Sequence, residues 1–344
     1  MKYNYILSLL FICLLISTKL SFAQNTPQQV FQIDSTISAT PKLNLNGQFC
    51  KIEITKSNDN LIHIWGELFS DKNDSEYKIS LISTSDQTEI RVTYPSQGWS
   101  SHSGTIQLKI PQNIEMDIET SSGQIHSNQV NISNAKIISR SGNIELNDCK
   151  GAFSLETVTA KLNVTNLTGN MKCKSKTGDT YLSKINGNVT SNTSDGNITI
   201  ADINGSVNSD ATTGNTDIDR VVGDIKSKAS SGFIKIADSK GNINVTTFSG
   251  AIKLFNTEGI VNLKSTTGEQ VGTRIKLTAS SSFYTTEGKI KMDLDNPIEE
   301  LSFVLESSSS YLQAARESKK KKLKVGKGPI VVTGTSTTGA QLYN

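Results

Sequence analysis

Glycine recurs every nine residues through the central part of this chain, and this spacing restricts the fold more than any other feature does. Two residues after nearly every one of these glycines the side chain is apolar, and the following residue is usually polar. A fixed period of this length predicts a solenoid, in which each unit buries its apolar side chains only against neighbouring units. The glycines are Gly142, Gly151, Gly169, Gly178, Gly187, Gly196, Gly205, Gly214, Gly223, Gly232, Gly241, Gly250, Gly259 and Gly268, and Ala160 interrupts the series.

Apolar and polar side chains alternate within each unit, as in the run Gly196-Asn197-Ile198-Thr199-Ile200. Alternation with a period of two is typical of a β-strand, so each unit holds one short strand and one turn. Alternate units differ in sequence, and a full coil therefore comprises two units, about 18 residues. We expect an all-β, single-stranded β-solenoid whose turns contain glycine with a positive φ. The clearest turn glycines are Gly178, Gly196, Gly214, Gly232 and Gly250.

Some inward positions carry polar or sulfur-containing side chains. Ser191, Ser209 and Ser227 occupy one such position in three successive coils, which predicts a ladder of hydroxyls along the axis. Cys149 and Cys173 fall at apolar positions and lack the spacing of a metal site, so we interpret them as buried thiols. Cys50 lies outside the repeat, and the sequence leaves open whether it forms a disulfide.

The chain divides into four parts. Lys2, an apolar run over residues 6–16 and the small-x-small site ending at Ala23 predict a secretory signal peptide. The predicted divisions are a signal peptide at 1–23, a flexible segment at 24–41, an N-terminal β cap at 42–115, and solenoid repeats at 116–344 interrupted by insertions at 269–285 and 306–328. No later run of apolar residues is long enough to cross a membrane.

Charge is nearly balanced over most of the chain. Removal of Lys2 and Lys19 with the signal lowers the formal net charge from +3 to +1, which argues against nucleic acid as a partner. The second insertion contains the only dense charge cluster of the sequence: Arg316, Lys319, Lys320, Lys321, Lys322, Lys324 and Lys327. This cluster is either a solvated loop or a patch that binds an anionic partner.

Catalytic and metal-binding patterns are weak in this sequence. His63, His102 and His126 show neither triad nor metal spacing, and Asp202 and Asp238 are separated by a coil that carries Arg220. Calcium-binding nonapeptide repeats need a second glycine and an aspartate in every unit, and both are missing here. We therefore expect no enzyme activity, no cofactor and no bound metal.

Several motifs resemble a known family. A strand leading to Pro111, the run Ser121-Ser122-Gly123-Gln124-Ile125, the Ser/Thr-Gly-x-Ile units that follow and the later Thr285-Thr286-Glu287-Gly288-Lys289-Ile290 are similar to those of bacterial β-strand-repeat proteins called putative adhesins. The resemblance spans residues 42–344 and implies a repeat fold at the cell envelope, without catalytic residues.

Three functional hypotheses remain at this point. The first is a secreted or cell-surface β-solenoid, either surface-displayed or periplasmic, that interacts with a surface, a glycan or an envelope protein. The second is an envelope-stress or scaffold component that binds envelope partners or anionic polymers through the lysine cluster. The third is a β-helix enzyme acting on polysaccharide, which the lack of any insertion between Gly142 and Gly268 disfavours.

Overall fold

The computed structural model describes residues 26–72, 74–96 and 101–344. The predicted signal peptide at 1–23 lies outside these ranges. Strands dominate, and the predicted β-solenoid with a repeat of about 18 residues is confirmed. Within the described ranges no helix is long and apolar enough to span a bilayer.

The coils build two stacks of parallel strands that enclose one continuous core. The first sheet contains Met171–Ser175, Val189–Thr193 and Val207–Ala211, and the second sheet contains Thr180–Asn186, Ile198–Asn204 and Thr216–Val222. Among the residues that the structure describes, one 3-10 turn, Ile298–Glu300, interrupts the strands. The strands up to the middle of the chain are β1 (Gln28–Ser38), β2 (Lys42–Gln48), β3 (Lys51–Lys56), β4 (Leu61–Ser70), β5 (Lys78–Ser83), β6 (Gln87–Thr93), β7 (His102–Ile110), β8 (Glu115–Thr120), β9 (Ile125–Asn128), β10 (Asn131–Ser139), β11 (Ile144–Thr157), β12 (Leu162–Thr168), β13 (Met171–Ser175), β14 (Thr180–Asn186), β15 (Val189–Thr193) and β16 (Ile198–Asn204). The remaining strands are β17 (Val207–Ala211), β18 (Thr216–Val222), β19 (Ile225–Ala229), β20 (Ile234–Lys240), β21 (Ile243–Thr247), β22 (Ile252–Gly259), β23 (Val261–Ser265), β24 (Gln270–Leu277), β25 (Ser281–Thr285), β26 (Ile290–Leu294), β27 (Leu301–Ala314), β28 (Glu317–Gly326), β29 (Ile330–Ser336) and β30 (Gln341–Tyr343).

The register of the coils follows the sequence period. In the second sheet Ile200 of β16 pairs with Leu182 of β14 on one side and with Ile218 of β18 on the other, 18 residues away in each direction. Ile200 is 0% exposed, whereas its neighbour Thr199 is partly exposed. The alternation therefore points every second side chain into the core, as the sequence predicts.

Two kinds of glycine turn connect the sheets, and they need glycine for different reasons. From the second sheet to the first, Gly205 and its equivalents have a φ in the range that disfavours L side chains, +151° at Gly205. From the first sheet to the second, the prediction of positive φ is wrong. Gly178, Gly196, Gly214, Gly232 and Gly250 lie outside that range.

Close stacking explains the second kind of glycine. A Cβ on Gly196 would lie 2.1 Å from the carbonyl oxygen of Gly178 in the preceding coil. The turn is held locally by a hydrogen bond of 3.0 Å that the backbone N–H of Gly196 donates to Oγ1 of Thr193. Glycine is thus required by contact between coils and not by its backbone conformation.

The predicted hydroxyl ladder is present inside the stack. Ser191, Ser209 and Ser227 are all 0% exposed and occupy matching positions of β15, β17 and β19. Oγ of Ser209 donates to Oγ of Ser227 over 2.7 Å, whereas the hydroxyl of Ser191 has no hydrogen-bond partner among the described residues. The ladder therefore contains one hydrogen bond between coils rather than a continuous chain of them.

The N-terminal region differs from its predicted division. Residues predicted as a flexible segment form β1, which pairs antiparallel with β4 along its whole length. The predicted cap at 42–115 also supplies part of the solenoid, because β2 and β3 stack in parallel on β8 and β9. β6 and β7 stack on the outer side of β2 and β3, and antiparallel β5, β4 and β1 complete this end.

The two predicted insertions have different structures. Residues 269–285 stay within the stack as β24 and β25, and Asn262 pairs with Ser282, so this coil is only two residues longer than 18. Residues 306–328 belong to an antiparallel hairpin of β27 and β28, and β27 contributes to both sheets. The chain then returns, and β29 and β30 fill the layer between the hairpin and β25 and β26.

Candidate interaction surfaces

Some of the charged residues on the outward faces of the repeats form ion pairs between coils. Nε of Arg220 lies 2.6 Å from Oδ1 of Asp202 in the preceding coil, and Nζ of Lys235 lies 3.2 Å from Oδ2 of Asp217. The hydrogen bond from Arg220 lowers the pKa of the Asp202 carboxyl. Residues 18 apart become neighbours in the stack, so oppositely charged residues at equal positions form pairs. These exposed pairs each contribute little to stability.

One turn position shows why no row of carboxylates forms on this surface. It is occupied in successive coils by Lys184, Asp202, Arg220, Asp238 and Asn256, each with a positive φ. A basic residue therefore separates the two aspartates. The side-chain amide of Asn256 also donates a hydrogen bond to the carboxylate of Asp238.

The three histidines lie apart from one another. Nε2 of His63 is 3.0 Å from Oδ1 of Asp59, and Nδ1 of His126 is 3.0 Å from Oε2 of Glu145. The His102 ring lies among Phe49, Tyr77 and Tyr94, with its centroid 4.2 Å from that of Phe49. In the described ranges no group of three or more His, Cys, Asp or Glu residues could hold a metal ion.

All three cysteines of the described ranges are free and buried, so the structure places no disulfide at Cys50. Burial raises the pKa of both the Cys50 and the Cys173 thiols to about 12. Burial also raises the pKa of Cys149, against hydrogen bonds that lower it. The thiolate is the reactive form, and it is scarce well below the pKa.

Iodoacetamide at pH 8 is therefore expected to leave Cys50 and Cys173 unmodified in the folded protein. Their raised pKa values keep both thiols protonated at that pH, and burial blocks access of the reagent. Mass spectrometry of peptides after labelling with and without guanidinium measures this directly. Labelling of all three cysteines in guanidinium is the control, and rapid labelling of Cys173 in its absence would contradict the packing of β13.

The predicted lysine patch lies on an edge strand and not in a loop. Lys319, Lys320, Lys321, Lys322 and Lys324 belong to β28, which pairs only with β27 at the C-terminal end of the described stack. All five are exposed. Arg316 lies at the tight turn of the hairpin, and Lys327 follows the end of β28, so the hairpin holds the seven cations at one end of the solenoid.

These seven cations, here called the cationic edge, have few acidic neighbours. Nζ of Lys322 is 3.0 Å from Oε1 of Glu306, which is the one ion pair that any of these seven cations makes among the described residues. Lys319 pairs with Leu312, a buried residue of β27, and is itself exposed. Lysines on an edge strand disfavour pairing with another strand, so they protect this end from aggregation and also concentrate positive charge there.

A groove of about 650 Å³ lies beside the hairpin. Ile298 and Glu299 of the 3-10 turn form one side, and Phe303 and Arg316 of the hairpin form another. Of the seven cations Arg316 alone lines it. The structure thus separates Arg316 from the lysines of β28, which face solvent.

The chain was compared with curated proteins, with solved structures and with models of protein families. No curated protein matched the sequence. A solved structure described as a "putative cell adhesion protein" from Clostridium sporogenes is 13% identical over 91% of this chain and 99% of that chain, with a TM-score of 0.19. Another, a "putative adhesin" from Parabacteroides merdae, is 17% identical over 77% of this chain and 96% of that one, with a TM-score of 0.26. The model of the Toastrack DUF4097 family matches residues 52–201 and again 181–336, so the chain belongs to the Toastrack DUF4097 family.

Proposed function

We propose that this chain is a non-enzymatic binding protein of the bacterial cell envelope, exported by its N-terminal signal sequence. Its repeats supply a rigid rod with charges paired between coils, as at Arg220 and Asp202. Such faces suit low-affinity, distributed contact with a surface. The two similar solved structures are described as an adhesin and a cell adhesion protein, which supports a role in adhesion or surface interaction.

Protease treatment of intact cells tests the place of action. An antibody against residues 178–268 follows this chain, and a periplasmic protein serves as the control. Loss of the chain with survival of the control is the result expected for a surface-displayed adhesin. Survival of both contradicts surface display and favours a partner within the envelope.

The cationic edge favours a second candidate function, binding of an anionic polymer. The observation that carries it is the set of exposed lysines on β28, of which Lys322 alone has an acidic partner in the described ranges. A row of exposed cations on one strand attracts a polyanion over a distance of about 10 Å at moderate salt. This row of cations would bind a polymer because of its negative charge and would not distinguish one sequence of sugars from another.

Replacing Lys319, Lys320, Lys322 and Lys324 with glutamine is expected to weaken binding to dextran sulfate about a thousandfold, at about 1 kcal/mol per lysine. Affinity chromatography with a salt gradient measures the change, because the variant elutes at lower salt. The matched control replaces Lys172, Lys226, Lys228 and Lys253, which are exposed on the repeat faces. Equal losses in both variants would show that charge anywhere on the rod suffices.

A further inference from the structure

A regular grid of six side chains covers the outer surface of the second sheet at its N-terminal end. Asp34 of β1 is paired with Trp65 of β4, and Trp65 is paired with Gln107 of β7. Thr36, His63 and Lys109 form the adjacent row in the same way. Directly paired residues of antiparallel strands place their side chains on one face at short distance. The half-buried indole of Trp65 therefore lies between a carboxylate and an amide.

The loop at residues 57–60 forms a wall beside this grid. Asp59 accepts hydrogen bonds from Oγ of Ser57 over 2.7 Å and from the backbone N–H of Leu61 over 3.0 Å. Nε2 of His63 lies 3.0 Å from both carboxylate oxygens of Asp59, and Oγ1 of Thr36 lies 3.1 Å from Nδ1 of His63. The hydrogen bond from Ser57 is the largest cause that lowers the pKa of Asp59 to about 2. The loop is thus fixed to the sheet.

Five of the six grid residues, all but Thr36, line an open hollow of about 370 Å³ together with the loop, and this volume is within the size range of small-molecule sites. Trp65, Asp34, Asn58, Gln107 and Lys109 are among the residues that line it. Nε2 of Gln107 donates to Oε2 of Glu53 over 3.0 Å, which orients the amide. The Gln107 amide and the Asp59 carboxylate are already held by hydrogen bonds, so ordering these two groups on binding costs little.

The chemistry of the hollow matches that of a sugar. The C–H groups on one face of a pyranose ring carry partial positive charge and pack against the negative face of an indole ring. Its hydroxyls both donate and accept hydrogen bonds, which suits carboxylate and amide groups around the ring. Asp34, Asp59 and Lys109 all line the hollow, so it has no excess of positive charge. An anionic sugar would be disfavoured there.

We propose that the hollow around Trp65, on β1, β4 and β7, is a binding site for neutral oligosaccharides, with the indole ring as the stacking platform. Asp34, Asn58 and Gln107 would bind the hydroxyls. The site is independent of the lysines of β28, which lie at the opposite end of the stack. It also lies at the N-terminal end of the chain, outside the nine-residue glycine repeats.

Titration of the protein with cellohexaose, maltohexaose, laminarihexaose and chitohexaose tests the proposal. The sequence contains two tryptophans, so a Trp99→Phe background makes emission specific to Trp65. At least one of these oligosaccharides is expected to change the emission saturably. Oligogalacturonate, an anionic oligosaccharide, is expected to bind at least tenfold more weakly.

Variants then assign the binding to the grid. Trp65→Ala is expected to weaken binding by about tenfold or more in calorimetry, and Trp65→Phe is expected to restore part of it. A double variant, Asp34→Ala with Gln107→Ala, removes two polar groups of the hollow and keeps the Trp65 ring. Tyr181→Ala, which removes an aromatic residue 43% exposed on a repeat face of the same sheet, is the matched control and should bind as the wild type does.

Two results would overturn the proposal. One is the absence of binding by all four neutral oligosaccharides. The other is unchanged binding by both Trp65→Ala and the Asp34/Gln107 variant when thermal unfolding shows that each is folded. Neither result bears on the anionic-polymer function, which depends on different residues and a different probe.

Discussion

Replacing Ile200 with aspartate is expected to unfold the central coils. Ile200 is 0% exposed and packs in register between Leu182 and Ile218. Loss of its burial costs about 2 kcal/mol, and a carboxylate in its place adds several kcal/mol because it has no partner in the core. A total of that size is comparable with the whole free energy of unfolding of many domains.

Hydrogen exchange of the backbone amides measures where the structure opens. Protection should be lost first in β14, β16 and β18, because each coil is stabilised mainly by its neighbours. Thr199→Asp is the matched control, since Thr199 is adjacent in sequence and faces outward. Equal loss of protection in the two variants would mean that the inward and outward faces are assigned incorrectly.

Gly205→Ala is expected to destabilise the protein by about 3 kcal/mol or more. Gly205 has a φ of +151°, where an L side chain is strained, and its added Cβ would lie 2.3 Å from the carbonyl oxygen of Gly187. The neighbouring coil cannot move away, because that same backbone is hydrogen-bonded within the stack. Both strain and overlap therefore oppose the substitution.

Urea unfolding followed by circular dichroism measures this loss. Ser206→Ala changes an exposed residue of the same turn and should alter stability by less than about 0.5 kcal/mol. Gly196→Ala separates the two causes, because Gly196 makes the close contact without the strained φ. A stability of Gly205→Ala equal to that of Ser206→Ala would show that the coils can separate locally at little cost.

The repeat could be predicted from sequence because its information is local. Nine residues contain both a strand and a turn, and stacking brings each unit next to copies of itself. The inward positions of Ile198, Ile200 and the serine ladder followed from that period alone. The period does not show why position 196 must be glycine. A close contact with the preceding coil and a positive φ both require glycine, so both causes give the same recurring glycine in the sequence.

The ends of the solenoid could not be predicted from the same pattern. β1 is fixed by pairing with β4, and β28 is fixed by β27, and neither pair has a repeating sequence. The run of lysines in β28 favoured a solvated loop, because a run of like charges in a sequence is usually solvated. In the structure the same charges occupy an edge strand, where they prevent further strands from adding.

The Trp65 site was missed for a related reason. Asp34, Trp65 and Gln107 come from three strands far apart in the chain, and only antiparallel pairing brings them together. A tryptophan at a position that alternates with the buried Ile62 and Ile64 was the one available signal, since alternation places its ring on the outer surface. That signal does not identify the polar groups on either side.

The order of layers at the C-terminal end has a consequence for how the molecule is made. In a solenoid whose coils follow one another strictly in sequence, each new coil can fold onto the preceding, already folded coil during synthesis. Here β27 and β28 are synthesised before β29 and β30, which lie beneath them. During synthesis the hairpin therefore lacks the strands against which it packs in the folded protein until residues 330–343 have been made. We therefore expect closure of this end to be a late, non-local step, during which the edge lysines disfavour pairing of the hairpin with strands of other molecules.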